Sequence, residues 1–220
     1  MSLSRGSSVN RPALILLALT ALLSTSCEST DSVGPGVPPP VAESPVGALR
    51  LLEWSWDNEE FAKLPGLFPA DYHFRLSYAD SAGHPPHSNW GRSDELASSG
   101  KCFREARVLS FQLDETLEVI DDDRPGKDPR WHKLIQTQAW VQAEVRTDLG
   151  PVRLEAEGPA KFYFVRGDSA KIPLGYYPPY TPDSTVWWID RWEDRTLPAG
   201  VASAHPTSPM TWGAFKLFFR

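Results

Sequence analysis

The chain has 220 residues, 41% hydrophobic and 23% charged, with a formal net charge of −6 at pH 7. No basic stripe offsets that acidity, which excludes nucleic-acid binding by phosphate neutralisation. Two cysteines, Cys27 and Cys102, are too few for a disulfide-stapled scaffold, whereas nine tryptophans supply ample apolar area for a packed core.

Arg5 and Arg11 precede an apolar run from Pro12 to Leu23, followed by small residues and Cys27. The pattern predicts an export signal over residues 1–26, with an apolar core too short for a mature membrane span. It resembles the bacterial lipoprotein signal, with Leu23 one residue earlier than usual and Ser24 in its place. The resemblance implies lipidation of Cys27, and Glu28 after it implies the outer membrane of the bacterial cell envelope. The alternative is a soluble periplasmic or secreted protein with a free Cys27. Residues 27–44, with Gly34-Pro35-Gly36 and three consecutive prolines from Pro38, are expected to form a flexible tether. Losing Arg5 and Arg11 with the signal makes the remainder still more acidic.

Ser44-Pro45 predicts a helix start, and Leu49, Leu52 and Trp56 share one face of a helix over 45–57. Asn58 is expected to cap a second helix carrying Phe61, Leu64 and Phe68, which Pro69 ends. Alternation of Tyr72, Phe74 and Leu76 predicts a strand over 71–78. Loop 79–89 is followed by a helix over 93–105 that Ser93 would cap, burying Leu96 and Phe103. Strands are then expected over 108–120, 133–147, 152–165 and 184–194. Gly158-Pro159 predicts a bulge or bend in the third of these. In the last, strict alternation places Trp188, Asp190 and Trp192 on one face and Trp187, Ile189 and Arg191 on the other. The tail from Leu197 reads as irregular until Met210, after which an apolar stretch through Phe219 is expected to pack back.

Helices placed before an antiparallel sheet predict an α+β domain whose long strands curl around the helices and enclose a conical hollow. The segments Ala48 to Asp57 and Leu64 to Tyr72 resemble the two-helix opening of the nuclear transport factor 2-like superfamily. That superfamily includes ketosteroid isomerase-like and polyketide cyclase-like (SnoaL-like) proteins. Asp128-Pro129-Arg130-Trp131-His132-Lys133 and Trp188 to Asp194 resemble segments of uncharacterised bacterial lipoproteins of this fold. The resemblance covers 45–196, leaving 197–220 as a C-terminal extension. It implies fold and not activity, because this architecture hosts enzymes, ligand binders and interaction modules.

Candidate catalytic residues are His132, Asp190 and Tyr72, an acid–base set for proton abstraction beside a carbonyl. Strand-edge hydrogen bonds or ion pairs are the competing and simpler account of His132 and Asp190. Candidate ligand-binding residues are Tyr72, Gln136, Gln138, Trp188, Asp190 and Trp192, with core packing the competing account of the tryptophans. Paired prolines and the lack of a third spaced ligand argue against a metal at His84-Pro85-Pro86-His87 with Asp80. The run Asp121 to Asp123 reads as a charged turn rather than a calcium loop. Arg166 to Ser169 reads as turn chemistry. No phosphate loop or dinucleotide fingerprint occurs, so no cofactor is expected. The expected function is an envelope lipoprotein, non-catalytic, binding a small apolar ligand or another envelope protein. The alternatives are an isomerase- or cyclase-like enzyme and a structural homodimer.

Overall fold

The computed structural model describes residues 38–77, 90–167, 185–196 and 210–220. The signal, Cys27, the first part of the tether, the His84 and His87 loop, Asp168, Ser169 and the Tyr-rich loop 173–182 lie outside the described residues. Helix α1, Pro45–Asp57, starts as its sequence dictates: the Ser44 hydroxyl accepts from Gly47 N, and proline occupies the first turn. Asn58 closes α1 instead of opening a second helix, donating from backbone and side chain to the Trp54 carbonyl. Residues Phe61–Gly66 then form a 3-10 helix, with Pro65 lacking the N–H that an α-helical ladder needs.

The remaining elements are β1 (His73–Arg75), β2 (Trp90–Gly91), α2 (Arg92–Glu105), β3 (Ala106–Leu113), β4 (Val119–Asp121), β5 (His132–Thr147), β6 (Gly150–Arg166), β7 (Trp187–Asp194) and α3 (Trp212–Phe218). Of the strand expected over 71–78, residues 71–77 are described and form β1 alone. The one expected over 108–120 divides into β3 and β4, because Asp114 turns out of the ladder and accepts from Thr137 Oγ1 and Gln138 N. Helix α2 is capped at Gly91, two residues before the expected Ser93, with Asp94 reaching back to accept from Gly91 N at 3.1 Å.

All seven strands among the described residues join one sheet in the order β2-β1-β7-β6-β5-β3, with β4 also on β5. Every pairing is antiparallel except β1 with β7. The sheet curves as a half-barrel around the helices, so the α+β cone expected from the sequence is the fold observed. Its unpaired edge, β3, is not left open. Asp57 and Glu53 of α1 accept from Phe111 N at 2.7 Å and Leu113 N at 2.9 Å, which blunts the edge against strand addition. Burial holds the Asp57 carboxyl above its ordinary range, with the Phe111 amide opposing that shift.

The register of β5 with β6 runs unbroken through Gln138↔Pro159 and Ala139↔Gly158, so the expected interruption at Gly158-Pro159 is absent. The reason is local. The Pro159 carbonyl accepts from Arg195 N, so the N–H that proline lacks would also have faced the end of β7 and costs no bond to β5. Gly158 admits Thr196 against the strand, where a Cβ would collide with the threonine hydroxyl. The irregularity lies instead between β6 and β7, where Tyr163 pairs with Arg191 and Phe164 with Ile189, leaving Asp190 as an extra residue. That bulge overturns the alternating faces expected for the last strand. Trp187, Ile189 and Trp192 all enter the main core, whereas Trp188 packs in a separate cluster with Val165.

Helix α3 completes the interior. Thr211 caps it, accepting from Ala214 N, and the preceding Met210 bridges Ala156 on the length of β6 beyond β7. Trp212, Phe215 and Phe219 are fully buried. Trp212 packs at 4.9 Å from Trp192 and 5.3 Å from Phe111, centroid to centroid, and its Nε1 donates to the Ala139 carbonyl. Truncating one such ring in a core costs about 3–5 kcal/mol, so α3 contributes to the packing of the interior.

Candidate functional site

The two faces of the sheet carry different chemistry. Inside the cone, Glu95 lies in the first turns of α2, where the helix dipole favours an acid. Its face of α2 continues with Ser98, Ser99 and Cys102, small enough for α3 to approach, and Ser98 Oγ donates to the Lys216 carbonyl. Lys216 Nζ lies 2.5 and 2.6 Å from the two Glu95 oxygens, and both side chains are 2% exposed or less. Tyr72 Oη and Trp90 Nε1 each donate to Glu95 Oε2 at 3.1 Å. The ammonium also sits 4.1 Å from the Phe74 ring centroid and 3.8 Å from that of Trp192.

Burial pulls the Lys216 amine below its ordinary value, with Glu95 opposing that shift. Burial, with the Glu95 charge added, holds the Tyr72 phenol well above its own. Among the described residues three indole donors are buried with no hydrogen-bond partner, Trp56 Nε1 and Trp192 Nε1 in the main core and Trp188 Nε1 in its own cluster. Unpaired buried donors cost about 1–3 kcal/mol each, so their persistence calls for an acceptor or a role.

The outer face is a charged lattice. Glu193, with its side chain 3% exposed, is flanked by Arg191 on β7 and by Arg195 just after it, at 3.4 and 2.6 Å. From β1, Arg75 joins it at 3.6 Å. On the neighbouring strand Lys161 pairs with Asp123 at 2.7 Å, and Tyr163 Oη donates to the same carboxylate. Lys161 holds the Asp123 carboxyl below its ordinary value, while burial and the nearby Glu193 charge push the Tyr163 phenol up to about 12. Arg124 donates to Asp122 and Asp190, each at 2.6 Å, and lies over the Tyr163 ring. A groove of about 290 Å³ runs along this face past Gln136, Gln138, Lys161 and Arg195, with Asp114 also lining it.

The residues singled out from the sequence divide between these faces. Tyr72 and Trp192 meet in the interior around Glu95 and Lys216. Gln136 and Gln138 are exposed and line the outer groove. Trp188 is buried in its own small cluster, and Asp190 is held by Arg124. His132, half-buried at the start of β5, places Nδ1 3.3 Å from the Asp128 carbonyl, so it and Asp190 have separate partners. Among the described residues no group of three or more His, Cys, Asp or Glu side chains is arranged to hold a metal.

Sequence reasoning missed Glu95, Lys216 and the Arg cluster on Glu193. One signal was available: Lys216 is a lone cation in the run Trp212 to Phe219, and a charge in an apolar stretch requires a buried partner.

No family model matches the chain, and no curated protein matches it. Solved structures do resemble it. A conserved protein from Planctomyces limnophilus is 13% identical with a TM-score of 0.45, covering 69% of this chain and 91% of its own. The Kfla4162 protein from Kribbella flavida is 16% identical with a TM-score of 0.44, covering 67% and 84%. A nuclear transport factor 2-like superfamily protein from Salmonella enterica is 15% identical with a TM-score of 0.42, covering 72% and 92%. No activity passes from likenesses of this degree to the present chain. The curved sheet closed around its helices defines the class by itself: an α+β protein with the nuclear transport factor 2-like cone fold.

Proposed function

We propose that the protein is an envelope lipoprotein, exported by residues 1–26, lipidated at Cys27 and tethered by 27–44, whose cone binds a small apolar ligand. The observation that supports this reading most is the interior itself. Aromatic side chains surround two unpartnered indole donors, and the rings of α3 pack against both. In the state described, α3 fills the interior and its Lys216 neutralises Glu95. A ligand with an apolar body enters when α3 lifts, one acceptor taking the Trp56 or Trp192 N–H and a donor group replacing Lys216 on Glu95. The tether lets the cone sample the region near the bilayer while acyl chains hold it there.

The test joins mass spectrometry of ligands co-purified with the full chain to hydrogen exchange across α3. The expected result is a bound apolar compound, with α3 amides exchanging through a local opening well below the global unfolding free energy. Absence of any ligand, together with α3 amides protected as strongly as those of β5 and β6, would overturn the reading.

One observation favours a second reading, an isomerase- or cyclase-like enzyme. Glu95 and the Tyr72 hydroxyl adjoin in an apolar interior, a carboxylate base beside a phenol that can polarise a carbonyl. On this reading α3 must lift before substrate enters, and the interior supplies Glu95 as base in place of His132 or Asp190. Turnover of an enolisable ketone that disappears in Glu95→Gln and persists in His132→Ala would select it over the binding module.

A further inference from the structure

We propose that Arg75, Arg191 and Arg195 form an oxyanion site on the outer face of the sheet, taking the phosphate group of a small polar molecule whose body lies in the adjoining groove. The strand register builds the cradle. Arg75 faces Glu193 across β1 and β7, and Arg191 and Arg195 stand two residues either side of it. Three guanidinium groups thus share one carboxylate, leaving two positive charges in excess, the complement of a phosphate monoester dianion.

The excess is local to the cradle, because the carboxylates around it are each engaged by other donors. Lys161 is matched by Asp123, and Arg124 is shared by Asp122 and Asp190, which leaves one negative charge beside the cluster but turned onto Arg124. Asp114, which lines the groove, keeps its charge while accepting from Thr137 and the Gln138 amide. Arg75 and Arg191 reach Glu193 only at 3.6 and 3.4 Å and remain partly exposed, so most of their planar N–H donors stay available. Planar forks of this kind bind phosphate bidentately.

Arg195 links the cradle to the groove, since it pairs with Glu193 and also lines the cleft of about 290 Å³. There Gln136 and Gln138 present two exposed carboxamides on one face of β5, suited to the hydroxyl groups of a sugar or polyol. Glu193, almost fully buried beneath the cluster, keeps the three guanidiniums from repelling one another apart.

The experiment is calorimetric titration of the full chain at low salt with inorganic phosphate, glucose 6-phosphate and glucose, alongside flotation with vesicles of phosphatidylglycerol or phosphatidylcholine. Expected is binding of both phosphates, tighter for glucose 6-phosphate, with none for glucose, and weakening as salt rises. Arg75→Gln with Arg191→Gln should lower the affinity at least about tenfold, a loss of about 1.4 kcal/mol, in a chain that stays folded with Arg195 still paired to Glu193. Gln136→Ala with Gln138→Ala should remove the preference for the sugar phosphate and leave inorganic phosphate binding intact. Flotation with phosphatidylglycerol that depends on Arg75 and Arg191 would assign the phosphate to a lipid headgroup. Binding of the soluble phosphates without flotation would assign it to a free metabolite. Failure of every phosphate probe to bind, or equal binding by the double Arg variant, overturns the proposal.

Discussion

Glu95 and Glu193 are both carboxylates almost fully withdrawn from water, on opposite faces of one sheet, and their settings differ in one respect. The cation on Glu95 is as buried as the acid, whereas the three on Glu193 keep between 31% and 67% of their side-chain surface exposed. Burying both ions makes each depend on the other, because neither can recover its hydration if the partner is lost. Exposed guanidiniums do recover it, so the outer cluster is held loosely and its donors remain available. The interior pair fixes where α3 docks; the outer cluster presents charge.

The largest expected effect tests that dependence. Lys216→Met alone strands the Glu95 charge, and Glu95→Gln alone strands the ammonium, so each should destabilise by about 3–5 kcal/mol in urea unfolding. Glu95→Gln combined with Lys216→Met keeps an acceptor for Tyr72 and Trp90 and removes both charges. Most of the lost stability should return, and additive losses in the double variant would show that the two residues do not act as a pair.

Alkaline pH probes the same side of the sheet. Burial, with the charges of Glu105 and Glu59 added, pushes the Cys102 thiol from 9.0 up to about 12. Between those values the unfolded chain has released the proton and the folded chain has not. Stability therefore falls as pH rises from about 9 to about 12, by at most about 1.4 kcal/mol per pH unit and about 4 kcal/mol in all. Unfolding free energies measured across that window should fall less steeply for Cys102→Ala. An identical slope would place the thiol in contact with water.

Much of the frame on which these two faces stand was legible in the chain. Ser44-Pro45 and the Leu49, Leu52, Trp56 spacing determine α1 through local chemistry alone, and the bounds of 45–57 are met. The long alternations of β5 and β6 were equally clear, because their inner positions are apolar and their outer ones polar. What escaped is what depends on distant residues. The bulge at Asp190 reverses the expected setting of Trp192, and no periodicity marks it, since it is resolved only by pairing with Tyr163 and Phe164. Glu95 and Lys216 lie 121 residues apart, so their pairing follows from topology and not from local pattern. Pro65 hid a 3-10 helix behind an apolar spacing that suited an α-helix equally well.

A milder test concerns how the inner face closes at its end. Gly158→Ala drives a methyl into Thr196 and should destabilise by about 1–3 kcal/mol, as overpacking does. Adding Thr196→Ser keeps the hydroxyl that collides, while Thr196→Ala removes it and should restore stability. A neutral Gly158→Ala would mean that residues after β7 yield freely and do not hold that end of the interior closed.

The smallest expected effect falls on the outer carboxylate and decides whether exposure of the cation governs the contrast. Glu193→Gln leaves Arg75, Arg191 and Arg195 able to turn toward water, so the stability lost should be about 1 kcal/mol or less. The same substitution adds one uncompensated positive charge to the cluster and should tighten inorganic phosphate binding while stability barely moves. If Glu193→Gln instead costs as much as Glu95→Gln, burial of the acid alone sets the penalty. The arginines are then structural counterions locked to the sheet, with no donors to offer a ligand, and the two faces differ in location without differing in kind.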